Sequence, residues 1–326
     1  MGLGYLRALC CVLLLGWLAA AQAAEAPEKS RITIAVGGKH RLSYLPLTLA
    51  DRLGYFRQEG LDVTIVDYPA GEKALQALAA GRADMVSGAF EHAVQMHARG
   101  RPVKCVVVQG RRSGLALGLS RELAARYKSP RDLKGLRIGV TAPGSSSHMF
   151  VNVLLAKDGL KPDAVSIVAV GDAAGAVAAM QKKTLDAIAN PDPVINLLEV
   201  AGSIVTVADT RSAEGGLYVY GADYPSGVMF ASTEFIRAHP RAVQAVVNAT
   251  LRALRWMRQS TPEQILAAVP HDYYGDARAT YGVALRKNLS GFSPDGRMSL
   301  QAAHTVYRIL QAFDLNVKGA PAIDLE

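Results

Sequence analysis

The chain has 326 residues, 50% of them hydrophobic and 20% charged, and a formal net charge of +8. That balance excludes a disordered chain and supplies enough apolar surface for a large core, divided over two domains rather than one. The basic surplus raises the question of a nucleic-acid partner. No zinc spacing, basic run with interleaved aromatics or basic recognition helix is present, so none is expected, and the scattered cations leave only a mild pull on anionic ligands or surfaces.

The first residues, "MGLGYLRALCCVLLLGWLAAAQAAEA", carry one early charge, Arg7, then an apolar run, then Ala21-Gln22-Ala23. This is the pattern of a secretory signal peptide over 1–23, and it implies a periplasmic protein. The apolar run is too short, and too soon followed by "EAPEKS", to favour a membrane span. Two of the three cysteines, Cys10 and Cys11, leave with it. Cys105, within "VKCVVV", is left as a core filler without a disulfide partner.

Strand-like and helix-like segments then alternate. "RITIAVG" (31–37) is a strand, and residues 43–56 form a helix opened by Ser43, with Leu45, Leu49 and Leu53 on one face. "LDVTIVDY" (61–68) is the next strand. A helix over Gly71 to Ala80, the strand "ADMVSGA", the helix "FEHAVQMHARG" and the strand "PVKCVVVQG" follow. This rhythm predicts a parallel sheet covered by helices. It restarts with "LRIGV" (136–140), a helix from Ser145 to Gly159, "VSIVAVG", "AAGAVAAMQKK", "LDAIAN" and "DPVINLLEV". Residues 75–88 align with 177–190 at a constant offset, so that Leu75 meets Val177, Leu78 meets Met180 and Asp84 meets Asp186. The match points to two similar α/β lobes. From Pro240 onward the chain reads as helical, with Val243, Val246, Val247, Leu251, Leu254 and Met257 forming a stripe that packs onto a lobe. The Gly-, Ser- and Pro-rich stretches 109–120 and 220–230 are the candidate crossings between lobes. The expected division is lobe I over 30–112, lobe II over 113–224, and lobe I again over 225–326.

Motifs for chemistry are mostly missing. "TAPGSSSHMF" (141–150) lacks the second glycine of a nucleophile elbow and the lysine of a phosphate-binding loop. The histidines show no metal-ligand spacing, so neither a metal nor a cofactor is expected. What remains is a helix N-terminus with extra hydroxyls, either a plain cap or a cradle for an oxyanion. Ligands of open α/β sheets bind where strands end and helices begin. The candidate loops hold Ser43, Tyr44, Leu45, Gly71, Glu72, Gly88, Phe90, Glu91, Ser145, Ser146, Ser147, His148, Asn190 and Asp192. Each has a plainer role available: Glu72 and Glu91 are acids in first turns, Asp192 a cap, and Phe90 a core residue.

"LADRLGYFRQEGLDV", "GRADMVSG", "DLKGLRIGVTAPGSSSHMF", "LDAIANPDPVINLLE" and "MFASTEFIRAHPRAVQAVVNATLRALRWM" together resemble periplasmic substrate-binding proteins of ABC transporters. The resemblance is to the nitrate/sulfonate/taurine type, which also includes binders of thiamine-pyrimidine precursors. It implies two Rossmann-like lobes joined by two crossings, as in type II periplasmic binding proteins, with a helical C-terminal tail on the first lobe. It also implies a monomer without catalysis, holding a small ligand in the cleft and presenting it to an inner-membrane ABC permease. Ser145, Ser146 and Ser147 would match second-lobe anion contacts. Tyr44, Leu45, Gly88 and Phe90 would match first-lobe contacts. The expected ligand is small, polar and anionic: sulfonate, nitrate or carboxylate-like. A thiamine-pyrimidine precursor or other heteroaromatic, accepted by Glu91 and Asp192, is the alternative, and an exported enzyme on the same fold is the alternative of another class.

Overall fold

Residues 26–323 and 325 are described by a computed structural model of the chain. The expected signal peptide lies outside these residues.

The first strand, β1 (Arg31–Gly37), shows how the core is built. Its period of two sends Ile32, Ile34 and Val36 into one apolar cluster and Ala35 into another, so the sheet is buried on both faces. The single helix expected over 43–56 is in fact two, α1 (Leu45–Arg52) and α2 (Tyr55–Gln58). Gly54 between them takes φ +74°, a left-handed conformation that ends the first helix. Next come β2 (Asp62–Tyr68), α3 (Gly71–Ala79), β3 (Met85–Gly88), α4 (Phe90–Ala98) and β4 (Val103–Gly110).

The chain crosses to the second sheet through Arg111 to Gly114, far fewer residues than the expected 109–120. The rest of that stretch is strand β5 (Leu115–Ser120). There follow α5 (Arg121–Ala124), β6 (Arg137–Val140), α6 (Ser146–Lys157), β7 (Ser166–Ala169), α7 (Ala174–Gln181), β8 (Ala187–Pro191), α8 (Val194–Val200), β9 (Ile204–Asp209) and α9 (Ala213–Tyr220). The chain returns through 221–226 to β10 (Gly227–Ser232) in the first sheet. The strand orders are β2-β1-β3-β10-β4 and β7-β6-β8-β5-β9. Neither sheet is purely parallel. β10 runs antiparallel between β3 and β4, and β5 antiparallel between β8 and β9. Each inserted strand belongs to the crossing that delivers the chain from the other lobe, which is why it runs against its neighbours.

The repeat has a physical counterpart. The Asp84 backbone N–H donates to the Thr33 carbonyl, and its Oδ2 accepts from the Thr33 N–H. Asp186 makes the same pair of bonds with Arg137. Both acids tie the start of the central strand of a sheet, β3 or β8, to the strand beside it, β1 or β6.

Helices make up most of the remaining described residues: α10 (Thr233–Ala238), α11 (Pro240–Gln259), α12 (Pro262–Ala268), α13 (Arg278–Asn288), α14 (Leu300–Phe313) and the short α15 (Leu315–Lys318). α11 buries Val243, Val246, Ala249, Ala253, Leu254 and Met257 and packs on α1 and α2 of the first lobe. α13 reaches the second lobe, where Asn196 Nδ2 donates to the Thr280 carbonyl at 2.8 Å and Lys287 Nζ to Glu199 at 2.6 Å. Among the described residues no helix is long and apolar enough to cross a membrane.

Candidate functional site

The loops that follow β1 and β7 meet across the gap between the sheets. Arg41 Nε donates to Asp172 Oδ2 of the opposite lobe. His40 Nε2 lies 3.1 Å from the Asp172 carbonyl oxygen. The contact is so close that a Cβ on Gly38, already at φ +83°, would come within 2.6 Å of Asp172 Oδ2. The two charged side chains are only 12% and 7% exposed. Burial alone would lower the Arg41 guanidinium, but the Asp172 carboxylate outweighs it and leaves it raised. Tyr44, one helical turn on, is buried beside Arg41, and burial pushes its phenol up.

Behind this pair lies Glu91, in the first turn of α4 and 3% exposed. Burial pushes its carboxyl above the usual carboxylate range, with the Ser146 and Tyr224 hydroxyls and the Arg41 charge pulling against it. Neither Oε2 nor the Tyr224 hydroxyl has a partner at good hydrogen-bond geometry, although the two lie side by side as acceptor and donor. Ser146 belongs to the second lobe and Tyr224 to the second crossing, so three parts of the fold converge on one acid. Tyr224 stacks on Tyr220, with ring centroids 4.2 Å apart at 22°. His92, next to Glu91, is neutral: burial takes its ring down to about 4, helped by Arg41 and Arg99. Its Cε1 lies where a Cβ on Gly71 would be, at 2.4 Å, so glycine at 71 makes room for the ring.

The serine run divides its labour. Ser145 is the N-cap of α6 and accepts from the His148 N–H. Ser147 is buried and accepts from the Thr141 N–H at 2.9 Å, which ties the helix start to the end of β6. His148 Nδ1 accepts from the Gly144 N–H and so closes the loop on itself. Of the three hydroxyls, Ser146 is the one turned to the opposite lobe, beside Glu91.

Asp192 is part of a different group. Arg211, 3% exposed, donates to Asp192, Glu199 and Asp209, and Asp192 also accepts from Asn288 Nδ2 and the Asn196 N–H. Three carboxylates hold the Arg211 guanidinium well above its ordinary value, although burial opposes them. Burial also acts on Glu199, but donors from Arg211, Lys287 and Thr206 prevail and bring it to about 2. Beside this network Ser43, Arg112, Ser113, Asn288 and Phe292 enclose a cavity of about 20 Å³ at the crossings, room for a water-sized guest.

The remaining sequence candidates are scattered. Asn190 is fully buried near Asp172: its Nδ2 donates to the Gly171 carbonyl while Oδ1 has no partner. Leu45 is core, and Gly88 lets the sheet pack, since a Cβ there would be 3.3 Å from Phe230. Phe90 lines an apolar pocket of the first lobe with Val94, His97, Cys105, Leu300 and Leu325. Glu72 is exposed on α3 and accepts from Gln76. The structure thus brings Tyr44, Glu91, Ser146 and Asn190 toward one seam and leaves Leu45, Glu72 and Phe90 elsewhere. Arg41, His92, Asp172, Tyr220 and Tyr224 were not singled out from the sequence. The usable signal was an unexplained Arg and Asp in the loops after β1 and β7. Among the described residues no group of three His, Cys, Asp or Glu is placed to hold a metal ion.

Known proteins share this architecture. A solved structure from Bordetella bronchiseptica RB50 is 43% identical, with a TM-score of 0.85 over 91% of this chain and 94% of that one. The alkanesulfonate-binding protein SsuA from Xanthomonas axonopodis pv. citri, bound to MOPS, is 22% identical, with a TM-score of 0.71 over 91% of this chain and 96% of that one, a likeness of fold. The nitrate/nitrite binding protein NrtA of Nostoc sp. is 25% identical over 186 residues, which are 55% of this chain and 39% of that protein. The chain thus matches about two-fifths of the length of its curated relatives. The pattern of the NMT1/THI5-like family matches residues 42–265, most of the described chain, and the chain belongs to that family.

Proposed function

We propose that the chain is the solute-binding component of an ABC importer. It holds one small polar molecule between its two lobes in the periplasm, performs no chemistry on it, and presents it as a monomer to an inner-membrane permease. The observation that carries this is the set of buried polar groups without partners along the seam: Glu91 Oε2, Tyr224 Oη and Asn190 Oδ1, with His92 Nδ1 behind them. Buried polar atoms are normally paired, and several unmet at one junction between two lobes suit a polar guest. The names of NrtA and SsuA support the same role. The leader read over 1–23 fits export. Ser146 at the positive end of α6 suits an acceptor group of the ligand, as in a sulfonate, nitrate or carboxylate.

The test is a thermal-shift screen of sulfonates, nitrate, carboxylates and pyrimidines, followed by calorimetry. A true ligand at a hundred times its Kd adds about 2.7 kcal/mol of stability. Ser146→Ala should weaken the hit several-fold while leaving the free protein's melting temperature in place. Silence across every class overturns the solute-binding role. Consumption of a hit by the pure protein replaces it with an enzyme.

A further inference from the structure

Arg112 is the buried cation that the protein itself does least to answer. It stands in the first crossing and is 8% exposed. Among the described residues its guanidinium makes one hydrogen bond, from Nη1 to the Ser290 hydroxyl at 2.6 Å, and no ion pair. Nε is buried and has no partner. Arg211, on the same cavity, shows the contrast, with three carboxylates around it. The carboxylate that acts on Arg112 is Asp223, whose side chain is 40% exposed and lies 3.9 Å from Arg111 Nη1. Two adjacent guanidiniums thus share one half-solvated acid. Burial and the Arg111 charge both push Arg112 below its ordinary value. A lysine so placed could shed its proton, but a guanidinium keeps its charge. A buried charge calls for a counter-charge as well as hydrogen bonds.

Arg112 also lines the cavity of about 20 Å³ at the crossings. That space admits a guest the size of one water molecule, and not a sulfonate or a heterocycle. We infer that the cavity is a halide site, in which a chloride ion accepts a hydrogen bond from Arg112 Nε and supplies the missing counter-charge. A water would fill the space and leave the charge unmatched. The acid on the cavity wall, Asp192, opposes an anion, but its oxygens already accept from Arg211, Asn288 Nδ2 and the Asn196 N–H. The Arg211 charge beside it cancels that repulsion at short range. The ion lies where the chain passes between the lobes, apart from the seam at Glu91 and Ser146, and its binding stands whether or not that seam takes a solute.

Sodium chloride against sodium gluconate at equal ionic strength tests this, since gluconate is too large for the cavity. Chloride should raise the melting temperature of the solute-free protein saturably, by about 3 °C at ten times its half-effect concentration. Arg112→Gln should lose most of that rise. Arg112→Lys keeps the charge without the Nε donor, and should raise the half-effect concentration about tenfold. Crystals grown in sodium bromide give a readout that needs no variant: an anomalous peak within hydrogen-bond distance of Arg112 Nε. Nitrate separates this site from the solute seam, because any shift it causes should survive Arg112→Gln. The inference is overturned by a cavity that holds water alone in bromide, by a chloride effect no larger than that of gluconate, or by one undiminished in Arg112→Gln. Loss of a nitrate shift in Arg112→Gln also overturns it, and would make Arg112 part of the solute site.

Discussion

Replacing Arg41 by methionine asks what holds the lobes together. Arg41 and Asp172 face each other from opposite lobes, and both are largely withdrawn from water. Removing one member of a pair so buried costs about 3–5 kcal/mol when the stranded charge stays buried. Here the stranded carboxylate has an escape. Asp172 touches the first lobe at Gly38, His40 and Arg41, so a hinge motion at the two crossings would return it to water without unfolding either sheet. Opening is favoured wherever closure is worth less than that penalty, and even 3 kcal/mol shifts a two-state equilibrium by about a hundredfold. Arg41→Met should therefore increase the separation of labels placed one on each lobe, and the radius of gyration in solution scattering, with little loss of melting temperature. Adding Asp172→Asn removes the stranded charge and should bring the lobes part of the way back. If the melting temperature instead falls by the full cost of a buried charge while the lobe separation is unchanged, the pair is a fixed pin and does not hold the lobes closed.

The Arg211 network has no such escape, because all three of its acids lie in the second lobe. Arg211→Met should cost about 3–5 kcal/mol in urea melts, with part regained by Asp192→Asn in the same chain; an unchanged midpoint refutes it. Glu199 falls from the ordinary 4.5 to about 2, so its share of stability is present above 4.5 and lost as pH falls through 2; Arg211→Met should flatten that acid limb. Glu91 has the opposite sign. Its raised value favours the folded chain fully below 4.5, and that contribution disappears as pH rises through the raised value. Glu91→Gln should accordingly out-melt wild type near pH 8 and lose the advantage near pH 4, whereas an advantage independent of pH would show that the charge is not what is strained.

Elements with a clean local signal were legible in the sequence, and those defined by their neighbours were not. β1 alternates, and α6 announces itself with Ser145, which is its N-cap. β5, "LALGLS", is buried on both faces and contains Gly118, so it shows no alternation and reads as a loop. Gly118 is required there by a distant residue, since a Cβ would lie 2.4 Å from Ile204 of β9. β9, "IVTVAD", did carry a β-branched run that deserved a strand. The antiparallel strands follow from which lobe the chain is arriving from, and no short window of sequence contains that. At the site, a loop position can be guessed from strand-to-helix order, but the partner of a charge cannot. Glu91 and Ser146 were in view as loop residues. Arg41 and Asp172, 131 residues apart, become one feature only when the lobes face each other.

That pairing changes what the net charge says about the ligand. A chain of +8 suggests affinity for anions, and the serine run encouraged the same thought. Yet two of the buried cations between the lobes are committed to acids, Arg41 to Asp172 and Arg211 to three carboxylates, while Arg112 at the first crossing, 8% exposed, donates to the Ser290 hydroxyl. The surplus sits outside, on exposed residues such as Arg31, Arg82, Lys104, Arg121, Lys128 and Lys134, where water and salt screen it. It can steer an anion toward the protein but does not hold one in the cleft. Between the lobes lie the Ser146 hydroxyl at the start of α6, Arg112, the buried Glu91 carboxyl and a few unmet lone pairs. Surface charge thus bears on how a solute approaches, and the groups between the lobes bear on what is kept.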